Sequence, residues 1–381
     1  MNKTPQSERL NIIILGACNS GKSSLINMIA NQKVSLVSDI SGTTTDPVRH
    51  AMELPNLGAS VLVDTAGFDD TSLLGEKRVE LSIKALDSAN LALLLIGENP
   101  EVESEWISIL KNKGLPFVKV ANKSDIRHVD NADVYVNALH SEGKESLIDA
   151  IIRAIPSDFA SRDLLGTLVN TGDTVLLVMP QDKQAPKGRL ILPQSQTIRS
   201  LLDRGCLTLT TTPDNLEIAL SKLKTVPDLV ITDSQAFDFV ERHIPSGVKL
   251  TSFSILMAAY KGDIDYFVAG AKKMADLNSN SKVLIAEACT HSPASEDIGR
   301  VKIPAMLKKK FGDDIKIEIV SGKDFPEKLA GYDLIIHCGS CMFNRKMVMS
   351  RIRKAQEANV AMTNYGVAIA HLKGILDKVT Y

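Results

Sequence analysis

The sequence predicts an α/β protein built on parallel sheets and divided into three successive domains. Apolar runs of four to eight residues alternate with longer helical patterns along almost the whole chain, which is typical of βαβ units. The chain has 381 residues, of which 44% are hydrophobic, enough for two to three ordinary domains with buried cores. A disordered chain and a collagen-like fibre are therefore excluded.

The first domain is expected to span residues 1–160. Its candidate strands lie at residues 11–15, 60–63, 91–96, 116–120 and 133–136. Helical patterns between these strands include residues 21–30 and 103–112. The domain is expected to end near Pro156, because proline cannot continue a helix.

Two further series of strands predict a middle domain at residues 165–275 and a last domain at residues 276–381. Candidate strands of the middle domain lie at residues 174–179, 207–211, 229–231 and 249–253. Those of the last domain lie at residues 282–287, 315–319, 333–336 and 360–362. The polar stretch 276–281 is the candidate linker between the two domains.

Charge and hydropathy exclude several classes of protein. The net charge of −1 lacks the basic excess typical of proteins that bind nucleic acid through phosphates, so nucleic acid is not an expected partner. No apolar run approaches the ~18 residues needed to cross a bilayer, and the N-terminal residues show no signal-peptide pattern. We therefore expect a cytoplasmic protein with no membrane partner. The five cysteines are an odd number, which argues against a disulfide framework.

Residues 16–23 form the first motif that carries chemistry. Their sequence, GACNSGKS, fits GxxxxGK[ST] and lies between a candidate strand and a candidate helix, as that motif requires. Backbone N–H groups of such a loop wrap phosphates, Lys22 can reach the β and γ phosphates, and the Ser23 hydroxyl can hold Mg²⁺. The expected phosphate-binding residues are Gly16, Asn19, Ser20, Gly21, Lys22, Ser23 and Ser24.

Two further motifs follow later strands. Asp64 begins DTAG, where it can hold Mg²⁺ through water, and the Gly67 N–H can meet the γ phosphate. Asp125 ends NKSD, where it can accept two hydrogen bonds from guanine, a donor pair that adenine lacks. The expected guanine-binding residues are Asn122, Lys123, Asp125 and, through its backbone amide, Ala138. Three motifs in this order predict a P-loop GTPase domain. With the two later series of strands, the expected fold is a P-loop GTPase domain followed by two smaller parallel-sheet α/β domains.

Residues 42–46, GTTTD, resemble switch I of the TrmE–Era–EngA group of GTPases, whose pattern is GTTRD. The resemblance implies that Thr44 ligates Mg²⁺ in the GTP state, while Thr45 stands where the group has Arg. Asn19 matches the P-loop Asn that coordinates K⁺ in potassium-activated members, with a plain turn residue as the alternative. Phe68 stands where Ras-like proteins have a water-positioning Gln. An apolar ring cannot orient water, so hydrolysis of GTP to GDP is expected to be slow and to depend on K⁺ or a partner.

Cysteine and histidine side chains cluster in the last domain. Cys289 and His291 follow one candidate strand, and His337, Cys338 and Cys341 follow another. If the strands are neighbours, these three thiols and two imidazoles converge on one pocket at the carboxyl edge of the sheet. The residues alone leave open buried structural cysteines, a structural zinc, and a [4Fe–4S] cluster with one iron lacking a cysteine ligand.

The spacing CTH, forty-five residues, then HCGSC resembles the CxH…HCxxC motif of the HydF family of [FeFe]-hydrogenase maturation GTPases. Residues 179–203 resemble that family as well, and the likeness covers essentially the whole chain. It implies an N-terminal GTPase domain, a middle dimerisation domain and a C-terminal cluster domain. It also implies a [4Fe–4S] cluster held by Cys289, Cys338 and Cys341.

The same resemblance implies the partners. The family serves as scaffold or carrier for a transient di-iron precursor, which radical-SAM hydrogenase maturases build and apo-[FeFe]-hydrogenase receives. A homodimer or higher oligomer is implied too. The fourth position of the cluster stays open: His291, His337 and Asp182 are candidates for the ligand or for a hydrogen bond to the site. The competing functions are an RNA-directed GTPase of the TrmE/Era type and a zinc-stabilised regulatory GTPase.

Overall fold

The structure is a computed structural model that describes residues 4–31, 47–54, 57–69, 75–156, 159, 163–180, 190–288, 297–322 and 324–381. The chain divides into two compact units, residues 1–161 and 162–381. Within the described ranges, no helix combines the length and the apolar character that crossing a membrane requires.

One mixed sheet organises the first unit. Its described strands are β1 (Leu10–Leu15), β2 (Val48–Leu54), β3 (Gly58–Asp64), β4 (Leu91–Ile96), β5 (Phe117–Ala121) and β6 (Val134–Tyr135), in the order β2-β3-β1-β4-β5-β6. All neighbouring pairs are parallel except β2 and β3. Strand β1 is buried along its whole length, as its unbroken apolar run indicates. The sequence analysis does not predict β2, which is a largely exposed edge strand without an apolar run.

Three described helices of the first unit lie between these strands along the chain, and a fourth follows β6. They are α1 (Lys22–Ala30), α2 (Gly75–Leu86), α3 (Pro100–Asn112) and α4 (Lys144–Ala154). Helix α3 begins three residues before its predicted start. The Asn99 side chain accepts a hydrogen bond from the Val102 N–H, and Pro100 occupies the first turn, so the local sequence defines this helix start.

Two four-stranded parallel sheets organise the described part of the second unit. The first contains β7 (Thr174–Val178), β8 (Leu207–Thr211), β9 (Leu229–Thr232) and β10 (Lys249–Ser252), in the order β10-β9-β7-β8. The second contains β11 (Lys282–Ala286), β12 (Lys316–Val320), β13 (Leu334–His337) and β14 (Ala361–Asn364), in the order β12-β11-β13-β14. One apolar cluster includes side chains from both sheets, among them Val178 and Met362. The predicted α/β class is confirmed, and the three domain boundaries stay a prediction.

The helices of the second unit cover these sheets. They are α5 (Leu192–Asp203), α6 (Leu216–Lys222), α7 (Phe237–His243), α8 (Phe253–Lys261), α9 (Ile264–Lys272), α10 (Ile303–Phe311), α11 (Arg345–Glu357) and α12 (Tyr365–Leu372). Ser252 caps α8 by accepting from the Ile255 N–H, and Asp263 caps α9 by accepting from the Tyr266 N–H. Only two residues separate α8 from α9.

The carboxyl ends of three strands of the last sheet lie side by side. His337 at the end of β13 is the register partner of Ala286 in β11 and of Asn364 in β14. The segments that follow these three strands therefore leave the sheet at the same edge. The sequence predicted that the cysteine segments after β11 and β13 would share this edge, and the strand order β12-β11-β13-β14 makes those two strands neighbours.

Candidate functional site

The phosphate-loop motif lies between β1 and α1. Lys22 is buried, and its Nζ donates to the Gly16 carbonyl at 3.0 Å and to the Ala17 carbonyl at 2.7 Å. Burial lowers the pKa of Lys22, and the charge of Asp64 acts in the opposite direction. The Ser23 hydroxyl donates to Asp64 Oδ2 at 3.0 Å. A hydroxyl and a carboxylate oxygen meeting at the start of a helix fit the oxygen ligands that Mg²⁺ prefers.

Two glycines allow neighbouring loops to approach the phosphate loop. Gly21 has a φ of +92°, and a Cβ at this position would lie 2.2 Å from Asn122 Nδ2. A Cβ at Gly67 would lie 2.3 Å from Cys18 Sγ and 2.6 Å from the Cys18 backbone nitrogen. All three distances are shorter than side-chain carbon atoms show in real structures, so only glycine lets the DTAG and NKSD segments pack here.

The segment after DTAG contains a residue that the sequence analysis missed. The Cys18 N–H donates to Asp69 Oδ1 at 2.6 Å, so a carboxylate occupies one amide of the phosphate loop. The Phe68 N–H donates to the Gly16 carbonyl at 3.3 Å, which keeps this segment against the loop. The Phe68 side chain is buried and stacks on Trp106. The position of Asp69, directly after the motif, was the available signal.

The NKSD segment after β5 connects the phosphate loop to the predicted base-binding loop. Asn122 Nδ2 donates to the Ser20 carbonyl at 3.0 Å, and Asn122 Oδ1 accepts from the Ala138 N–H at 3.1 Å. Lys123 Nζ donates to the Asn19 carbonyl at 2.6 Å. The structure thus brings together predicted residues that are more than one hundred positions apart.

The remaining nucleotide-site predictions fall in three places. Asp125 is exposed at the surface after β5, and Ser24 is half-buried in α1. Thr44 and the rest of the predicted switch I lie outside the described residues. The roles of all these residues stay predictions.

The HCGSC segment begins with His337, the last residue of β13. Cys338 Sγ accepts hydrogen bonds from the Ala288 N–H at 3.0 Å and from the Ser340 N–H at 3.4 Å. Burial raises the pKa of the Cys338 thiol, and these two N–H groups counteract that effect. Ser340 has a φ of 55°, a left-handed conformation that is uncommon for a residue with a side chain. Backbone N–H groups aimed at a sulfur fit a thiolate that binds metal.

His337 uses both ring nitrogens within the protein. Arg351 Nη1 lies 2.9 Å from His337 Nε2, and an arginine N–H can only donate, so Nε2 accepts. This hydrogen bond assigns the proton to Nδ1, which lies 2.9 Å from the Cys338 carbonyl and 3.0 Å from Ser340 Oγ. Burial, followed by the charge of Arg351, lowers the pKa of His337 to about 3. His337 is therefore a neutral imidazole in a fixed tautomer.

Arg351 is itself held by two aromatic rings. Its guanidinium carbon lies 4.7 Å from the ring centroid of Phe325 and 4.6 Å from that of Phe343. Cation–π contact with two faces keeps the guanidinium plane in one orientation. The sequence analysis missed Arg351, and no sequence signal identifies it, because its partners come from three separate segments.

The described residues include only part of the predicted metal site. Cys338 and Cys341 lie within the described residues, whereas Cys289, His291 and Asp182 lie outside them. Within the described part of the chain, no group of three or more His, Cys, Asp or Glu side chains is arranged to hold a metal ion. The structure therefore places two of the three predicted cysteine ligands.

Three family models match successive parts of the chain. Residues 11–123 match the 50S ribosome-binding GTPase family, residues 164–262 the hydrogen maturase F dimerization domain, and residues 265–380 the hydrogen maturase F tetramerization domain. The last two models together cover more than half of the chain. The first unit thus contains a P-loop GTPase domain, and the second contains both oligomerization domains.

Curated relatives match the GTPase part. The tRNA modification GTPase MnmE of Nitrosomonas europaea is 33% identical over 38% of this chain and 35% of its own length. GTPase Der of Rhizobium leguminosarum bv. trifolii is 34% identical over 42% of this chain and 38% of its own length. The chain spans a little over a third of the length of these relatives. The solved structure of Aquifex aeolicus Era bound to GDP·AlF4⁻ is 20% identical over 53% of this chain and 92% of that one, with a TM-score of 0.35, too low for any conclusion.

Proposed function

Because the chain belongs to the hydrogen maturase F family, we propose that it is a GTPase scaffold or carrier that binds a [4Fe–4S] cluster. The cluster ligands would be Cys289, Cys338 and Cys341. In this proposal the protein receives a di-iron precursor from radical-SAM maturases and delivers it to apo-[FeFe]-hydrogenase in the cytoplasm. It would act as a homodimer or a higher homo-oligomer, in keeping with its two oligomerization domains.

One observation carries the cluster part of this proposal. Cys338 Sγ accepts an N–H bond from Ala288, the residue that directly precedes Cys289 in the chain. The residue before the candidate ligand Cys289 therefore lies within hydrogen-bond distance of the candidate ligand Cys338. Cys341, the third candidate ligand, follows Cys338 by three residues. This donor set of thiols with backbone N–H support suits both iron–sulfur clusters and zinc, and the family supports the cluster.

The residues around the sulfurs would orient and stabilise the bound group. When bound, the cluster would supply an iron whose fourth position can exchange ligands. The Ala288 and Ser340 N–H groups would stabilise negative charge on Cys338 Sγ. His337, whose nitrogens face Arg351 and the Cys338 carbonyl, would hold the backbone of Cys338 in place rather than act as the fourth ligand.

The fourth ligand would then come from elsewhere. His291 and Asp182 remain the candidates from this chain, and both lie outside the described residues. A single carboxylate is a weak and replaceable ligand, which would suit a carrier. If Asp182→Ala leaves the electronic spectrum of the cluster unchanged, Asp182 is not that ligand.

The GTPase part of the proposal rests on the geometry of the phosphate loop. Lys22 and the loop amides would bind the phosphates, and Ser23 and Asp64, with Thr44 in the GTP state, would hold Mg²⁺. Asp125 would select guanine. Hydrolysis to GDP would be slow, because Phe68 packs against Trp106 and brings no polar group to the nucleotide. K⁺ at Asn19 would accelerate it, and an Asn19→Ala variant should then lose K⁺ stimulation.

Anaerobic reconstitution with iron and sulfide tests the cluster directly. The wild type is compared with a Cys338→Ser, Cys341→Ser variant by metal analysis and by EPR of the reduced protein. Cys206→Ser is the matched control, because Cys206 is a buried cysteine that packs in the apolar core beside the sheet of strands β7–β10. We expect about four irons per chain in the wild type and the control, and none in the double variant.

Two other results would favour a different function. A colourless protein with one zinc per chain would replace the cluster by a structural zinc and favour a regulatory GTPase. Salt-sensitive binding of RNA without any bound iron would favour the RNA-directed GTPase. Delivery is tested separately, by activation of apo-hydrogenase with the protein loaded in the presence of the radical-SAM maturases.

A further inference from the structure

A buried lysine from the middle domain region donates to the cysteine loop. Lys261 is the last residue of α8, and only 2% of its surface is exposed. Its Nζ donates to the carbonyl oxygens of Ser340 at 3.0 Å, Cys341 at 3.3 Å and Phe343 at 3.0 Å. An ammonium has three N–H donors, which matches three acceptors, whereas a neutral amine has only two. The geometry therefore places a positive charge under the loop.

A second cation, Arg345, lies just after the cysteine loop and donates hydrogen bonds back to the end of α8. Arg345, the first residue of α11, donates from Nη1 to the carbonyls of Tyr260, at 3.3 Å, and Gly262. These carbonyls belong to the C-terminal end of α8, where the helix dipole favours a cation. Lys261 thus joins the end of α8 to the loop 338–344, and Arg345, which directly follows that loop, donates back to the end of α8.

The loop needs such support because of its own conformation. Ser340 adopts a left-handed φ of 55°, which is strained for a residue with a side chain and persists only where surrounding contacts require it. The Ser340 carbonyl also accepts from the Phe343 N–H at 3.0 Å, so one oxygen serves both the turn and Lys261. The contact from α8 therefore acts on the residue where the loop is strained.

We propose that Lys261 is a positioning residue of the cysteine site: it fixes the backbone that carries Cys338 and Cys341 and supplies a fixed positive charge beside it. The proposal rests on the cluster function proposed above. Lys261 lies in the region that the dimerization model matches, whereas Cys338 and Cys341 lie in the region that the tetramerization model matches. The proposed site therefore contains residues from both regions.

Hydrogen exchange of the metal-free, full-length protein tests the positioning role. The variants are Lys261→Met, which removes charge and donors, Lys261→Gln, which keeps an amide donor, and Lys261→Arg, which keeps the charge. Lys249→Met is the matched control, because Lys249 also donates to a backbone carbonyl, that of Leu168, away from the loop. We expect the amides of residues 338–344 to exchange at least about tenfold faster in Lys261→Met than in the wild type. The increase should be smaller in Lys261→Gln, and the control should exchange at the wild-type rate.

The reduction potential of the reconstituted cluster tests the charge. Removing a nearby positive charge disfavours the added electron, so Lys261→Met and Lys261→Gln should shift the potential to more negative values, and Lys261→Arg should restore it. Circular dichroism establishes that each variant folds, and Lys261→Gln replaces Lys261→Met if the latter does not. Unchanged hydrogen exchange of residues 338–344 in Lys261→Met would overturn the positioning role. An unchanged reduction potential would overturn the role of the charge. A wild type that binds no iron would instead overturn the proposed cluster function and leave the exchange result standing.

Discussion

Phe68 stacks on Trp106, with ring centroids 5.8 Å apart and ring planes at 29°. The side chain at the position of the water-positioning Gln of Ras-like proteins therefore contributes to the core. We predict that Phe68→Gln does not accelerate GTP hydrolysis and lowers the free energy of unfolding by about 2–4 kcal/mol, because a polar group replaces a buried ring. Single-turnover hydrolysis and urea denaturation measure the two effects. Faster hydrolysis would show that the side chain at position 68 reaches the nucleotide.

Asp125 is the residue expected to select guanine, and it is exposed, so its substitution should leave the fold intact. Asp125→Asn replaces a double acceptor by one acceptor and one donor. Xanthine has an oxygen where guanine has its exocyclic amine, so the variant should bind XTP better than the wild type does. Affinity for GTP should fall by about 100-fold, as expected for the loss of charge-assisted hydrogen bonds. Titration with fluorescent nucleotides measures both, and unchanged GTP affinity would contradict the assignment.

Asp69 accepts from the Cys18 N–H at 2.6 Å, so a carboxylate lies at an amide of the phosphate loop. Like charges repel, and the γ phosphate adds negative charge near this position. We predict that Asp69→Asn strengthens GTP binding relative to GDP by about three- to tenfold, which corresponds to a partly screened repulsion of about 1 kcal/mol. Asp130→Asn, at a carboxylate with an 87% exposed side chain, is the control. Equal effects on GTP and GDP would mean that Asp69 does not sense the γ phosphate.

Gly299 lies against the hydroxyl of Tyr365. A Cβ at Gly299 would lie 1.9 Å from Tyr365 Oη and 2.7 Å from Glu287 Oε1. Gly299→Ala should therefore lower stability by about 1–3 kcal/mol through overpacking. Tyr365→Phe alone should be nearly neutral, since this buried hydroxyl has no hydrogen-bond partner among the described residues. The double variant should recover part of the loss in thermal unfolding, and strictly additive losses would contradict the predicted contact.

Cys206 should react more slowly than Cys341. Its thiol is buried and donates to the Asn170 carbonyl at 3.4 Å, and burial raises its pKa above the ordinary 9.0. The folded chain then keeps this proton to higher pH than the unfolded chain, so the Cys206 contribution to stability is present below about pH 9 and falls as the pH rises further. We predict slow alkylation by iodoacetamide between pH 7 and 9, with rapid labelling on unfolding. Labelling of native Cys206 as fast as that of Cys341 would contradict its burial.

The nucleotide motifs show how much the sequence could predict. The segments 16–23, 64–67 and 122–125 were recognisable because phosphate and guanine binding require particular residue types at short spacings, each directly after an apolar strand. The parallel sheets were predictable for the same local reason, since buried strands are continuous apolar runs. Strand β2 was not, because an exposed edge strand carries no such run and depends on pairing with β3.

The cysteine motif was also visible in the sequence, together with the edge of the sheet where it would lie. The residues that support the cysteine loop were not visible in the sequence. Lys261 meets carbonyls about eighty positions away, and Arg351 contacts His337 from the next helix and Phe325 from another segment. A lysine or arginine in a helix predicts an exposed face, and only the packing of α8 and α11 against the loop makes these cations part of the site. The sequence by itself thus determined which groups are expected to carry the chemistry, because local spacing encodes them. The tertiary structure alone decided which charges hold those groups in place, because burial and long-range contacts are properties of the packed chain.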